Sequence, residues 1–395
     1  MESARLMRAG LLALSILLAA CGEDEPNGKM PTGSDSPGGV DIRIPGMDGE
    51  ARVQFDEDGI LHARCETDAD CMRVLGYFHA HARFFQMDLQ RRLARGRLGT
   101  LAATEIVRDP GWRQMFSTPQ GEPLEEAIWR ILGEDERALV EAYAQGVNAW
   151  LDDLREGRNG AELSEDYAAI GLTSPELIPE WEALDTVAFA RLMTYLLSST
   201  WEEEIFFGAA FSQLASVSLE AAVDHFTPRP AAKAYTLPAA QAGARAVAGV
   251  PKLDGLQALA ERLGAVRGLM DRVRAEGPFL PFFGGLDASF GSNNWALAPS
   301  RTRDGKALLA NDPHLMLSNP PVFYLAHLDA VTEGRGTLHV AGATFPGIPA
   351  VVIGRNERVA WGATVAYYDV TDVYVEQLTE DGNAVIFDGE EVEIV

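Results

Sequence analysis

The spacing of apolar residues changes once along this chain, and that change limits what it can fold into. A short alternating stretch, Asp41 to Ala63, reads as a strand pair around Asp56-Glu57-Asp58-Gly59. Leu75, Phe78, Ala82, Phe85, Leu89 and Leu93 then recur every three or four residues, one face of a helix. Helical patterns continue through Glu125 to Leu154, Trp181 to Ser199 and Glu202 to roughly Val223. Thr227 to Val250 is rich in Ala, Gly and Pro and nearly devoid of large apolar side chains, as a linker or a removable spacer would be. A short amphipathic helix, Leu256 to Arg274, sits within that region. From Ser292 onward, short strands and turns take over: Trp295 to Ala298, Ala307 to Ala310, Val322 to Val331, Thr337 to Ala341, Ala350 to Ile353 and Val373 to Leu378. Asp304-Gly305 is a hairpin signal, and Asp381-Gly382-Asn383 and Asp388-Gly389 read as turns. Helices first and strands second predict an α+β fold, with sheets covered by helices. Arg83, Arg91, Arg92, Arg95 and Arg97 lie mostly off the apolar face. They are expected to form a solvated face or ion pairs with an acidic surface rather than an anion site.

With 395 residues the chain can bury a large core in one or two domains. Its formal net charge of −25 argues against nucleic acid, whose phosphates require a basic surface. The first residues read as a targeting segment. Arg5 and Arg8 supply a positive n-region, and Leu11 to Ala20 is an apolar stretch too short to span a bilayer. Leu18-Ala19-Ala20-Cys21 resembles a bacterial lipobox, which implies cleavage before Cys21 and acylation there; the alternative is an ordinary signal peptide with a chance cysteine. The predicted organisation begins with a signal peptide over 1–20 and a flexible tether over 21–44, rich in Gly, Pro, Ser and acidic residues. Gly22 after the cysteine resembles outer-membrane lipoproteins. The expected location is therefore the cell envelope, at the outer membrane, held through the lipid anchor only. In that oxidising compartment Cys65 and Cys71 can form a disulfide, the alternative being two buried thiols. No Cys-x-x-Cys or His-x-x-x-His spacing accompanies them to suggest zinc.

Phe290-Gly291-Ser292-Asn293-Asn294-Trp295 carries the chemistry. No GxSxG elbow surrounds Ser292, so a Ser-His-Asp esterase is not indicated. A serine hydroxyl needs a base. If the Gly291–Ser292 bond is cut, Ser292 gains an α-amine whose intrinsic pKa is about 7.7–8.0. Near neutral pH that amine can take the Oγ proton, directly or through one water, and return it to a leaving amine. Glycine before the serine leaves room for Oγ to attack the Gly291 carbonyl.

Several ordered stretches carry a resemblance to a known family. They are Gly76-Tyr77-Phe78-His79-Ala80, Phe85-Gln86-Met87-Asp88-Leu89, Gly96-Arg97-Leu98 and Gly291-Ser292-Asn293-Asn294-Trp295. Asn311-Asp312-Pro313-His314-Leu315, Phe345-Pro346-Gly347, Gly354-Arg355-Asn356 with Trp361-Gly362, and Asp369-Val370-Thr371-Asp372-Val373-Tyr374 follow. Together they resemble the penicillin acylase family of N-terminal nucleophile amidohydrolases, which includes penicillin, cephalosporin and N-acyl-homoserine lactone acylases. The resemblance implies a four-layer αββα sandwich. It also implies a precursor divided into an α-chain region over 45–226, a spacer over 227–291 and a β-chain beginning at Ser292, covered here over 292–395. The expected substrate is a small N-acyl amide, and the processed α- and β-chains are each other's partners.

Carried over residue by residue, Ser292 is the nucleophile and its amine the base, and Val365 offers a backbone N–H to the oxyanion. His314 lies where acylases place a residue near that amine; the alternative is a satisfied polar residue in a Pro-His turn. Leu315, Ile353 and Ala363 fall at acyl-pocket positions, or are ordinary core. Asp369, the Thr371 carbonyl and Asp372 match a calcium loop completed by Glu204. Oxygen-only ligands suit a structural Ca²⁺. No organic cofactor is expected. Members of the family continue several hundred residues further, where a second oxyanion donor and an arginine lie. A truncated, inactive calcium-binding lipoprotein or one half of a split acylase is the alternative expectation. The remaining histidines, His62, His79, His81, His225, His327 and His339, are expected in structural or surface roles.

Overall fold

A computed structural model describes residues 42–198, 201–226, 291–315, 318–365, 372, 374, 376–387 and 389–394. The expected signal peptide, Cys21, the helix over 256–274, the spacer up to Phe290, Asp369 and Thr371 lie outside these residues. The chain divides into two units, Met1–Leu196 with Leu280–Val365, and Leu197–Phe279 with Ala366–Val395.

The first unit begins with β1 (Arg52–Phe55) and β2 (Leu61–Arg64). Six helices follow: α1 (Asp68–Ala94), α2 (Asp109–Met115), α3 (Leu124–Ile131), α4 (Glu134–Glu156), α5 (Glu165–Ala169) and α6 (Ala183–Ser198). The strands β3 (Gly291–Leu297), β4 (Leu308–His314), β5 (Tyr324–Asp329), β6 (His339–Thr344), β7 (Val351–Arg355) and β8 (Ala360–Trp361) complete it. The expected α+β class is observed. β4 runs on to His314, so Pro313-His314 lies in a strand rather than the alternative Pro-His turn, and two of the expected helices also differ from the sequence reading. The Glu125 to Leu154 pattern is two helices, because Leu132 leaves the helical region (ψ 142°) and Gly133 caps the next helix. The expected helix from Arg73 starts at Asp68, where Thr67 caps it by accepting the Asp70 N–H at 3.1 Å, and it kinks at Arg83 (φ −144°).

One sheet, ordered β1-β2-β5-β6-β7-β8, joins the two ends of this unit. β2 runs parallel to β5 with Leu61 opposite Ala326 and His62 opposite His327, while the other neighbours are antiparallel. On β5, Tyr324, Ala326 and Leu328 are buried in one core with Leu61, Ala63 and the α1 residues Leu75, Phe78 and Met87. Leu325 and His327 alternate to the opposite face. α1 and α4 cross closely because each offers a glycine there. A Cβ at Gly76 would collide with the Tyr143 carbonyl oxygen, and one at Gly146 with that of Arg73. Cys65, just after β2, is joined by a disulfide to Cys71 in the first turn of α1, with Cα atoms 5.5 Å apart.

The arginines of α1 depart from the solvated face expected of them. Arg91 and Arg92 are buried, and both donate to Asp88 Oδ1, at 2.7 and 3.0 Å. The Tyr167 hydroxyl donates to Asp88 Oδ2 at 3.0 Å. Asp185, at the start of α6, accepts from Arg91 at 2.9 Å and Arg95 at 2.8 Å. The ion pairs form with internal carboxylates rather than an acidic surface, and they fasten α1 to α6.

The second unit contains α7 (Trp201–Ala215), α8 (Leu219–Phe226) and a hairpin of β9 (Ala384–Phe387) with β10 (Glu390–Glu393). The expected strand over Val373 to Leu378 contributes one described bridge, Leu378 to Val385. Among the described residues, no helix is long and apolar enough to cross a membrane.

Candidate active site

Ser292 is the second residue of β3, so the Gly291–Ser292 peptide lies where a strand begins. β3 pairs antiparallel with β4, with Gly291 opposite His314, Ser292 opposite Pro313 and Asn294 opposite Asn311. This register brings the two expected residues Ser292 and His314 together. A Cβ at Gly291 would stand 3.5 Å from His314 Nδ1, so the imidazole flanks the residue whose carbonyl would be attacked. His314 Nε2 lies 3.1 Å from Asp312 Oδ2, two residues back on the same strand. That contact holds one ring nitrogen and turns the other toward Gly291. Both side chains are about half exposed, so the pair is solvent-accessible.

The backbone donor expected at Val365 belongs to the segment after β8. That segment is fastened to β3 by Asn311, a residue with no role expected from the sequence. Asn311 Nδ2 donates to the Asn293 carbonyl and to the Ala363 carbonyl, both at 3.0 Å, and its Oδ1 accepts the Ala363 N–H at 2.8 Å. One amide side chain thus spans from the residue after the nucleophile to the residue two before Val365. Gly362 is small because it must be: a Cβ there would stand 2.7 Å from Asn311 Oδ1. The signal for Asn311 was present in the Asn311-Asp312-Pro313-His314 motif, but its partners are backbone atoms 18 and 52 residues away, which no spacing reveals.

The expected acyl-pocket residues lie on or just after three strands, and β7 pairs with β8 through Gly354 opposite Trp361, two residues before Ala363. Ala363 is drawn to β3 by Asn311, and Leu315 follows His314 at the end of β4. Ile353 sits on β7 opposite Ala343, in the six-stranded sheet. The expected calcium ligands Glu204, on α7, and Asp372 are in the second unit. The Tyr374 hydroxyl donates to Asp372 Oδ2 at 3.3 Å. The Asp372 charge, that hydrogen bond and, more weakly, the Glu204 charge raise the Tyr374 hydroxyl above its ordinary range. Both carboxylates therefore act on one phenol.

Residues 50–395 match the family model described as penicillin amidase. The chain is 32% identical over 360 residues to a penicillin acylase 2 proenzyme from Pseudomonas sp. (strain SE83), covering 88% of this chain and 40% of that protein. It is 30% identical over 346 residues to the acyl-homoserine lactone acylase QuiP from Pseudomonas aeruginosa, covering 87% of this chain and 36% of that one. A solved thermostable penicillin G acylase from Alcaligenes faecalis superposes with a TM-score of 0.39 at 22% identity, over 48% of this chain and 97% of the other. The chain thus spans 40% or less of the length of these two curated relatives.

Proposed function

The chain belongs to the penicillin amidase family, and on that premise we propose that it is an amide-hydrolysing acylase whose nucleophile is Ser292 after cleavage of the Gly291–Ser292 bond. In the first step Ser292 Oγ attacks the Gly291 carbonyl carbon. The C–N bond breaks and an ester forms, which releases the Ser292 α-amine. Water then hydrolyses the ester, leaving Gly291 as a carboxylate and restoring the hydroxyl. In the second step the free amine takes the Oγ proton as Oγ attacks an acyl amide, and returns it to the departing amine; water then hydrolyses the acyl ester, releasing the acid and restoring the Ser292 hydroxyl. The Val365 N–H would face the oxyanion, and His314, beside Gly291, would orient the new amine. Removing one oxyanion donor of this kind costs about 10²–10³ in rate.

The observation that carries this reading is the pairing of Gly291-Ser292 with Pro313-His314 at the start of β3, with the Ala363–Val365 segment fastened to the same strand. The names of the relatives support N-acyl compounds such as penicillins or N-acyl-homoserine lactones as substrates. Glu204, Asp369, the Thr371 carbonyl and Asp372 would hold Ca²⁺ as a structural tie between α7 and the segment after residue 365. The lipobox-like Leu18-Ala19-Ala20-Cys21 supports envelope anchoring through an acylated Cys21.

Intact-mass spectrometry of the expressed chain tests the central step. A fragment beginning at Ser292, lost in Ser292→Ala and retained in Ser318→Ala, is the expected result. An unsplit chain that also resists an acyl-directed covalent probe would reject the proposal.

A further inference from the structure

Three histidines that are scattered in the sequence meet on the face of the six-stranded sheet turned away from α1. We propose that His327, Asp329 and His339 form a binding site for a divalent transition-metal ion such as Zn²⁺, distinct in chemistry from the oxygen-only set expected to hold Ca²⁺.

Strand register places these side chains. His327 and Asp329 are two apart on β5 and so share a face, and Asp329 is directly opposite His339 on β6. One ligand-type atom from each of the three lies within 4.8 Å of the others. Zinc-bound nitrogens and carboxylate oxygens sit about 2.0–2.2 Å from the ion. Ligands of one tetrahedral ion therefore stand about 3.3 Å apart, so small side-chain rotations close the set. Two imidazoles and one carboxylate suit zinc and its neighbours in the first transition row better than a hard cation.

The outer partners of the three residues supply a second observation. A metal-binding histidine usually has its remote ring nitrogen held by a carboxylate or another polar group, which fixes the tautomer and aims the free nitrogen. His339 Nδ1 is held by Glu357 Oε1. His327 Nδ1 lies 3.1 Å from His62 Nδ1, and His62 Nε2 in turn lies 3.1 Å from Asp56 Oδ2. Asp329 Oδ1 accepts the Val331 and Thr332 N–H groups at 3.0 and 2.8 Å. Each of the three residues is therefore gripped from outside the cluster, the Thr332 side chain also bonding the Asp329 carboxylate, which leaves Nε2 of both rings to the ion and has the carboxylate exchange a hydrogen bond for it. Three carboxylates, Asp56, Asp329 and Glu357, surround the imidazoles and favour a divalent charge. Two arginines lie nearby: Arg64, held by Glu333 at 3.0 Å, and Arg355 in the cavity wall. A cavity of about 550 Å³ gives access, with His62, Leu325, His327, His339 and Arg355 in its walls. His327 and His339 line the cavity with Asp329 buried behind them, which leaves a coordination position on the cavity side for water or a small ligand.

The test uses the untagged full chain, stripped with chelator and titrated with Zn²⁺ by calorimetry and with Co²⁺ by visible absorption. One equivalent should bind, with the d–d absorption of nitrogen-ligated Co²⁺. Affinity should fall on the order of 10–100-fold in Asp56→Asn and in Glu357→Gln, and binding should be lost in His327→Ala and in His339→Ala. Asp152→Asn, which removes a solvent-exposed carboxylate on α4, should bind Zn²⁺ as the parent does. Circular dichroism checks that each variant is folded. Should the histidine variants unfold, Cu²⁺ bound to the parent chain provides the reading: electron paramagnetic resonance should show coupling to two imidazole nitrogens. No stoichiometric Zn²⁺ binding at micromolar concentration, unchanged binding in folded His327→Ala, or a copper spectrum without imidazole coupling would each overturn the proposal.

Discussion

Single side chains here act mainly by holding backbone in place. Asn311 makes three hydrogen bonds to main-chain atoms of two separate segments, and the proposed oxyanion donor depends on both. Asn311→Ala should leave the fold intact but slow cleavage before Ser292 on the order of 10²-fold, the penalty typical of an ångström-scale misplacement. A time course of intact mass after refolding measures it. His79 is a different case. It is fully buried, with Nδ1 2.9 Å from the Tyr143 hydroxyl and Nε2 2.8 Å from Thr344 Oγ1. Burial first, and Arg83 second, push its pKa down to about 3. The unfolded chain takes up this proton as pH falls through about 6.5, while the folded chain resists until about 3. Its contribution to stability is thus fully present above about 6.5 and is lost progressively as pH falls toward 3. Urea midpoints should drop between pH 6.5 and 5, and the drop should be shallower in His79→Gln. An equal slope in that variant would show that His79 is not the group responsible.

At the scale of elements, α1 organises the first unit through contacts of three kinds. Its apolar stripe meets β2 and β5, its Gly76 permits the close crossing with α4, and its arginines reach α6. Removing one partner from a buried ion-pair network leaves charge without compensation, at a cost of about 3–5 kcal/mol. Asp88→Asn should therefore lower the denaturant midpoint strongly, because Arg92 would keep only neutral acceptors and Arg91 would keep Asp185 alone as a charged partner. Arg130→Ala, which removes a solvent-exposed pair with Glu122, should leave the midpoint unchanged. Gly146→Ala should destabilise as well, since the added methyl meets the main chain of α1 rather than a mobile side chain.

For the whole molecule, the parallel pairing of β2 with β5 is the decisive contact. It hydrogen-bonds a strand from before residue 227 to one from after residue 291, inside a single core. If the chain is cut before Ser292 as proposed, the two pieces should co-elute on native size exclusion and separate only in denaturant. Dissociation in mild buffer would contradict that pairing. Much of this architecture could be read from residue order: the switch from helical to strand spacing gave the α+β class, Asp56-Glu57-Asp58-Gly59 marked the first hairpin, and the chain of motifs gave the family. Local chemistry suffices for these, because periodicity, turn residues and short motifs act over a few neighbouring positions. Which side chains meet was a matter for the tertiary structure. It buried Arg91 and Arg92 against Asp88, gave Asn311 its two distant backbone partners, and gathered His62, His327 and His339 from positions up to 277 residues apart. These contacts depend on strand register and helix crossing, which are fixed by packing across the sheet and leave no spacing signal in the sequence.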